Sequence, residues 1–126
     1  MTRVLIVDDD VNSRVLLRKL LYNMPRTDVI EAENGAEAMD MAREQRPDLI
    51  LLDIMMPVMD GIEFLKRCAA DEQLSKIPVI MVTALAERDR IIDSVSHGAR
   101  DYVVKPFDSV GLRTKVAKLL KDSASR

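Results

Sequence analysis

Short apolar runs of strand length recur at residues 4–7, 29–32, 49–52, 79–82 and 102–104, and helical apolar spacing fills the stretches between and after them. The alternation predicts a βαβ series of five strands and five helices. The runs at 4–7, 49–52 and 79–82 are continuously apolar, the pattern of parallel strands covered by helices on both faces, so they are expected at the centre of the sheet. The helical stripes are Val11, Val15, Leu16 and Leu20; Ala38, Met41 and Ala42; Ile62, Leu65 and Ala69; Ile91, Ile92 and Val95; and Leu112, Val116, Leu119 and Leu120. Asn34 and Asp60 each stand three residues before a glutamate, Glu37 and Glu63, the spacing of a capping box. Asp10 and Asp108 suit helix N-caps, and Gly98 suits a helix stop. Residues 1–121 read as one domain without repeat or linker, and residues 122–126 as a polar C-terminal tail.

Composition narrows the function classes. The chain has 126 residues, 48% hydrophobic and 32% charged, which is enough for one core and argues against both disorder and membrane spanning. Nineteen Lys and Arg against 21 Asp and Glu leave a net charge of −2, so no basic surface for nucleic acid is expected. Cys68 is the single cysteine, which excludes an internal disulfide and a thiol-held metal and fits a reducing, cytoplasmic setting. The four apolar residues before the first aspartates are too few for a signal peptide. Aromatics are 3% with no Trp, which weakens any reading built on stacking platforms. One histidine, His97, cannot by itself form a Ser-His-Asp or Cys-His site, and Cys68 has the spacing of core filling.

In open parallel sheets ligands bind beyond the carboxyl ends of the strands. Those positions carry Asp8, Asp9 and Asp10 after the first run, Asp53 after the third, Thr83 after the fourth, and Lys105 with Pro106 after the fifth. Carboxylates a few ångströms apart repel by about 1–4 kcal/mol per pair, more than one lysine can offset. A hard divalent cation with oxygen ligands can offset it, and the lack of His or Cys points to Mg2+, or Mn2+ in its place, rather than zinc. A lysine and a hydroxyl beside such a cation suit a phosphoryl group, whose transfer needs positioning and charge neutralisation above all. Asp53, the most central carboxylate, is then the expected nucleophile, and Asp10 is expected to cap the first helix.

Four ordered motifs, Val4-Leu-Ile-Val-Asp-Asp-Asp10, Leu51-Leu-Asp-Ile-Met-Met-Pro-Val-Met-Asp-Gly61, Val82-Thr-Ala84 and Gly98-Ala-Arg-Asp-Tyr-Val-Val-Lys-Pro-Phe107, resemble the receiver domains of two-component response regulators over nearly the whole chain. The resemblance implies a flavodoxin-like, CheY-like α/β fold: a doubly wound five-stranded parallel sheet of order 2-1-3-4-5 with five helices. It implies that Asp53 accepts a phosphoryl group from a histidine kinase or phosphotransfer protein. It further implies that Asp9 ligates Mg2+ directly, Asp8 holds it through water, and the backbone carbonyl of Met55 completes the metal site. Thr83 and Ala84 fall at the phosphate-binding switch, with the Thr83 hydroxyl on the acyl phosphate and the Lys105 ammonium paired to it. Pro106 matches a cis-proline, and Tyr102 matches an aromatic that turns inward when Thr83 moves, shifting the face made by the fourth helix, fifth strand and fifth helix.

The implied role is a switch that takes part in its own phosphorylation and dephosphorylation, turns over no external substrate, and controls a downstream protein target or output domain. Charged residues of the last two helices, Arg88, Asp93, Arg113 and Lys115, suit either a homodimer face or a solvated surface. Met55 and Leu85, two residues beyond Asp53 and Thr83, are apolar, so neither can orient an attacking water, and a long-lived acyl phosphate is expected. Three other readings compete. A degenerate receiver would act by contact alone. An aspartyl-phosphate hydrolase using Asp8 would need a cap domain, and a flavodoxin-like electron carrier would need a hydroxyl-rich phosphate loop after the first strand. The length leaves room for no output domain, so the chain is expected to be a stand-alone receiver or one excised from a longer regulator.

Overall fold

A computed structural model describes residues 2–84 and 88–124. Its strands are β1 (Thr2–Val7), β2 (Thr27–Ala32), β3 (Leu49–Leu52), β4 (Val79–Ala84) and β5 (Asp101–Lys105). Its helices are α1 (Val11–Tyr22), α2 (Gly35–Gln45), α3 (Gly61–Ala69), α4 (Arg88–Ser96) and α5 (Ser109–Ala124), with a 3-10 turn at Leu74–Lys76. All strand pairs are parallel, and the order is β2-β1-β3-β4-β5, as the resemblance implied. The three continuously apolar runs lie in β1, β3 and β4, at the centre.

These strands are apolar throughout because alternate side chains enter two different cores. Leu5, Val7, Ile50, Leu52 and Met81 pack under α2, α3 and α4, while Val4, Ile6, Leu49, Leu51, Ile80 and Val82 pack under α1 and α5. Fully burying each such aliphatic side chain is worth about 1.5–3 kcal/mol. The helix starts follow the capping pattern. The Asn34 carboxamide accepts from Glu37 N, and the Asp60 carboxylate accepts from Glu63 N, each at 2.9 Å. Asp108 accepts from Val110 N and Gly111 N at the start of α5, and Gly98 ends α4 with φ +109°, a conformation that favours glycine.

Two helical stripes depart from expectation. In α1 the buried residues are Leu17 and Leu21, while Val11 and Leu16 are exposed. The helix is apolar over more than one face, and the inward line through Leu17 and Leu21 continues toward the N-terminus to Ser13 and Arg14, which are polar and partly buried. In α4 only Ile91 of the expected stripe is buried, beside Ser94, whose hydroxyl donates to Ile91 O at 2.8 Å. Ile92 and Val95 face outward, Ile92 being 75% exposed. The C-terminal helix also continues past Leu120, so α5 takes in residues 122–124 of the polar end.

Candidate phosphoryl and metal site

The sheet order places the carboxyl ends of β1, β3, β4 and β5 side by side. Asp53 leaves β3 with its N–H bonded to Val7 O at 2.9 Å, and Asp8 leaves β1 with its N–H bonded to Ala32 O at 3.1 Å. These bonds fix both acids at one level. Asp8, Asp9 and Asp53 each present a carboxylate oxygen, all within 4.8 Å of one another. Asp8 is 1% exposed, and its Oδ1 accepts from Asp10 N at 2.9 Å. Asp10 itself caps α1, accepting from Asn12 N at 3.0 Å, in keeping with its exclusion from the acidic cluster.

Burial, followed by the negative charge of Asp8, pushes the Asp53 carboxyl up to about 7 against the opposing pull of Lys105 and the Ile54 N–H. Three clustered carboxylates, one of them displaced this far, call for a positive partner of higher charge than lysine. That donor set, all oxygen and all anionic, fits Mg2+ or Mn2+. Lys105 reaches over from β5 and donates to Asp8 Oδ2 at 3.0 Å and to Ser13 Oγ at 3.2 Å. The Lys105–Pro106 peptide is cis.

On β4, Thr83 pairs in register with Val104, and Ala84 with Lys105. Thr83 is fully buried, and among the described residues its Oγ1 has no hydrogen-bond partner. A buried hydroxyl left in this way costs about 1–3 kcal/mol, so its presence at a ligand-binding edge marks a place where an acceptor belongs. Ala84, next to it, is exposed. Leu85 lies outside the described residues.

The loop from β3 to α3 folds back tightly on Asp53. A Cβ at Gly61 would stand 2.3 Å from Asp53 O, and Gly61 N donates to Ile54 O at 2.8 Å. Met55 is half exposed at the rim of this loop, and its Sδ accepts from Arg90 Nη1 at 2.8 Å. Arg90 also pairs with Asp60 at 3.0 Å. Although burial works the other way, the Glu63 N–H and the Arg90 guanidinium hold the Asp60 carboxyl below its ordinary value. Tyr102 turns outward, 43% exposed, with Lys115 Nζ 5.2 Å from its ring centroid and bonded to Tyr102 O at 2.6 Å.

Every residue assigned to the site by sequence therefore reaches the carboxyl edge except Tyr102, whose ring lies on the outer surface of β5. Sequence reading passed over Ser13, Arg14 and Arg90. The signal for the first two was their register with Leu17 and Leu21 on α1; Arg90 carries none, because its partners lie thirty and more residues away. At the opposite end of the sheet, a cavity of about 120 Å3 is lined by Cys68, Ser75 and His97 among mostly apolar residues. Burial pushes the Cys68 thiol up to about 12, which leaves it inert as a nucleophile.

Residues 4–117 match the family model described as the response regulator receiver domain. The chain is 40% identical over 119 residues to the chemotaxis protein CheY of Pseudomonas aeruginosa, covering 94% of this chain and 96% of that relative. It is 42% identical to the sporulation initiation phosphotransferase F of Bacillus subtilis, covering 94% and 93%. Among solved structures it resembles the receiver domain of a signal transduction histidine kinase from Syntrophus aciditrophicus, with TM-score 0.88, 32% identity and coverage of 97% and 92%. A response regulator receiver domain from Francisella matches with TM-score 0.86, 30% identity and coverage of 98% and 99%. Among the described residues no helix is long and apolar enough to cross a membrane.

Proposed function

The chain belongs to the response regulator receiver domain family, and from that premise we propose that it is the phosphoacceptor of a His–Asp phosphorelay, receiving a phosphoryl group on Asp53. The observation that carries the reading is the convergence of the Asp8, Asp9 and Asp53 carboxylates on one sheet edge with a buried, unpartnered Thr83 hydroxyl. The donor is a histidine kinase or a histidine phosphotransfer protein, and the name of the Bacillus subtilis phosphotransferase relative supports a place in such a chain of transfers.

In the reaction an Asp53 carboxylate oxygen attacks phosphorus, the P–N bond to the donor imidazole breaks, and its electron pair stays on nitrogen; the product is a mixed carboxylic-phosphoric anhydride. Asp8, Asp9 and Asp53, with the Met55 carbonyl, would hold Mg2+ or Mn2+, which when bound supplies charge neutralisation at the phosphoryl oxygens and keeps Asp53 ionised at neutral pH. Thr83 Oγ1 donates its proton toward a phosphoryl oxygen and so gains the partner it lacks. The Lys105 ammonium, now on Asp8 and Ser13, is within its side chain's reach of the same edge and pairs with the added charge. Drawing Thr83 inward leaves room for the Tyr102 ring to turn in, away from Lys115, and this changes the face of α4, β5 and α5 that a downstream target, an output domain or a second copy of the chain reads.

On this reading the protein is a cytoplasmic switch and turns over no external substrate. Intact-mass spectrometry after incubation with acetyl phosphate and Mg2+ tests it. One added phosphoryl group is expected, lost with EDTA and lost in Asp53→Asn. No gain in the unaltered protein would mark a degenerate receiver that works by contact alone.

A further inference from the structure

Arg14 is a charged residue on the inward line of α1, and its side chain is only 11% exposed. Its Nη1 donates to Asp8 O at 2.7 Å. On the other side, Nε pairs with Glu31 Oε1 of β2 at 3.3 Å, and Nη2 lies 4.0 Å from Glu33 Oε1. Glu31 is itself anchored by Arg18 at 2.6 Å. The Asp8 carbonyl belongs to the peptide that joins Asp8 to Asp9, so a bond to it fixes the plane from which both acids project. The guanidinium fork spans from that peptide to the end of β2 with donors in fixed directions, a task for which arginine is suited and lysine is not.

We propose that Arg14 is a positioning residue for the Asp8–Asp9 pair and sets the affinity of the site for its divalent cation; the inference rests on the metal site proposed above. Electrostatics alone predicts the reverse, because a positive charge beside a cation site repels the cation. The arginine is therefore useful here through geometry. Groups that orient metal ligands through a hydrogen bond typically carry a 10- to 100-fold effect on affinity, and the low end applies to a bond made to backbone rather than to the ligand itself.

Mn2+ titration of the full chain, with free Mn2+ read by electron paramagnetic resonance, tests the assignment in the unaltered protein, Arg14→Lys and Arg14→Gln, alongside thermal unfolding in EDTA. The expected order of affinity is Arg, then Lys, then Gln, with the glutamine variant weaker by roughly tenfold. Phosphoryl uptake on Asp53 should return toward the unaltered level at saturating Mg2+. Tighter Mn2+ binding by Arg14→Gln would make Arg14 a bystander charge and overturn the proposal. Unchanged affinities with a lower unfolding temperature would reduce it to a structural ion pair and overturn it equally. If the unaltered protein holds no Mn2+, the metal site itself fails and takes the inference with it, an outcome distinct from the other two.

Discussion

Asp53 carries a conflict between stability and chemistry at the scale of a single residue. With its carboxyl raised from the ordinary 3.8 to about 7, the metal-free native state keeps a proton that the unfolded chain has already lost across that window. The stability this contributes is complete below 3.8 and is lost as pH rises through about 7. Asp53→Asn in EDTA is therefore expected to stabilise the protein by about 1–2 kcal/mol at pH 8, well under the full conversion because the carboxylate keeps contact with water. The gain should shrink to roughly two fifths of that at pH 5, where the unfolded carboxyl is still mostly ionised, and vanish only below the ordinary value of 3.8. Urea unfolding at the two pH values checks this, and a pH-independent difference would contradict it. Met55 offers a second prediction at the same scale. Its exposed, apolar side chain stands two residues from Asp53 and gives a water nothing to bind. Met55→Asn should shorten the life of the acyl phosphate severalfold, read as decay of the added mass once donor is removed; an unchanged decay would remove Met55 from control of hydrolysis.

Among the elements, the return of the β3–α3 loop onto Asp53 depends on Gly61. A methyl group there meets backbone, the Asp53 carbonyl at 2.3 Å, and backbone cannot swing aside as a side chain can. Gly61→Ala should cost about 2–4 kcal/mol and also impair phosphoryl uptake, because the loop that shifts is the one holding Asp53. Full uptake in a destabilised variant would show that the loop relaxes elsewhere. In α1 the paired substitutions Leu17→Ala and Leu16→Ala separate the inward line from the outward one. The first opens a cavity and should cost about 2–5 kcal/mol, the second about 0.5 kcal/mol or less. Equal costs in urea unfolding would mean that α1 is rotated from the orientation described.

For the whole molecule, cation binding and folding are linked, because the acidic cluster exists only when β1 and β3 stand side by side. Mg2+ at a hundred times its dissociation constant should add about 2.7 kcal/mol to the stability of the folded chain. A thermal shift series with and without Mg2+ reads this directly. Asp53→Asn should lose most of the increment, and a shift of equal size in both proteins would place the cation elsewhere.

The order of strands and helices, the central position of the three apolar runs, the caps at Asn34, Asp60 and Asp108 and the edge positions of Asp8, Asp9, Asp53, Thr83 and Lys105 were all legible in the sequence. Each depends on local periodicity, on short-range hydrogen bonding, or on the rule that parallel sheets gather their ligand-binding residues at one end. The family motifs added strand order. The sequence alone could not choose which of two apolar lines on α1 faces inward, because hydrophobic spacing is satisfied by both and only packing against β2 and α5 breaks the tie. It could not show that Lys105 rests on Asp8 and Ser13, that Thr83 lacks a partner, or that Arg14 and Arg90 clamp loops from distant elements. Those features have no period along the chain, and the tertiary structure decides them because only the packing of distant elements determines which partners a side chain meets and, for Thr83, that it meets none.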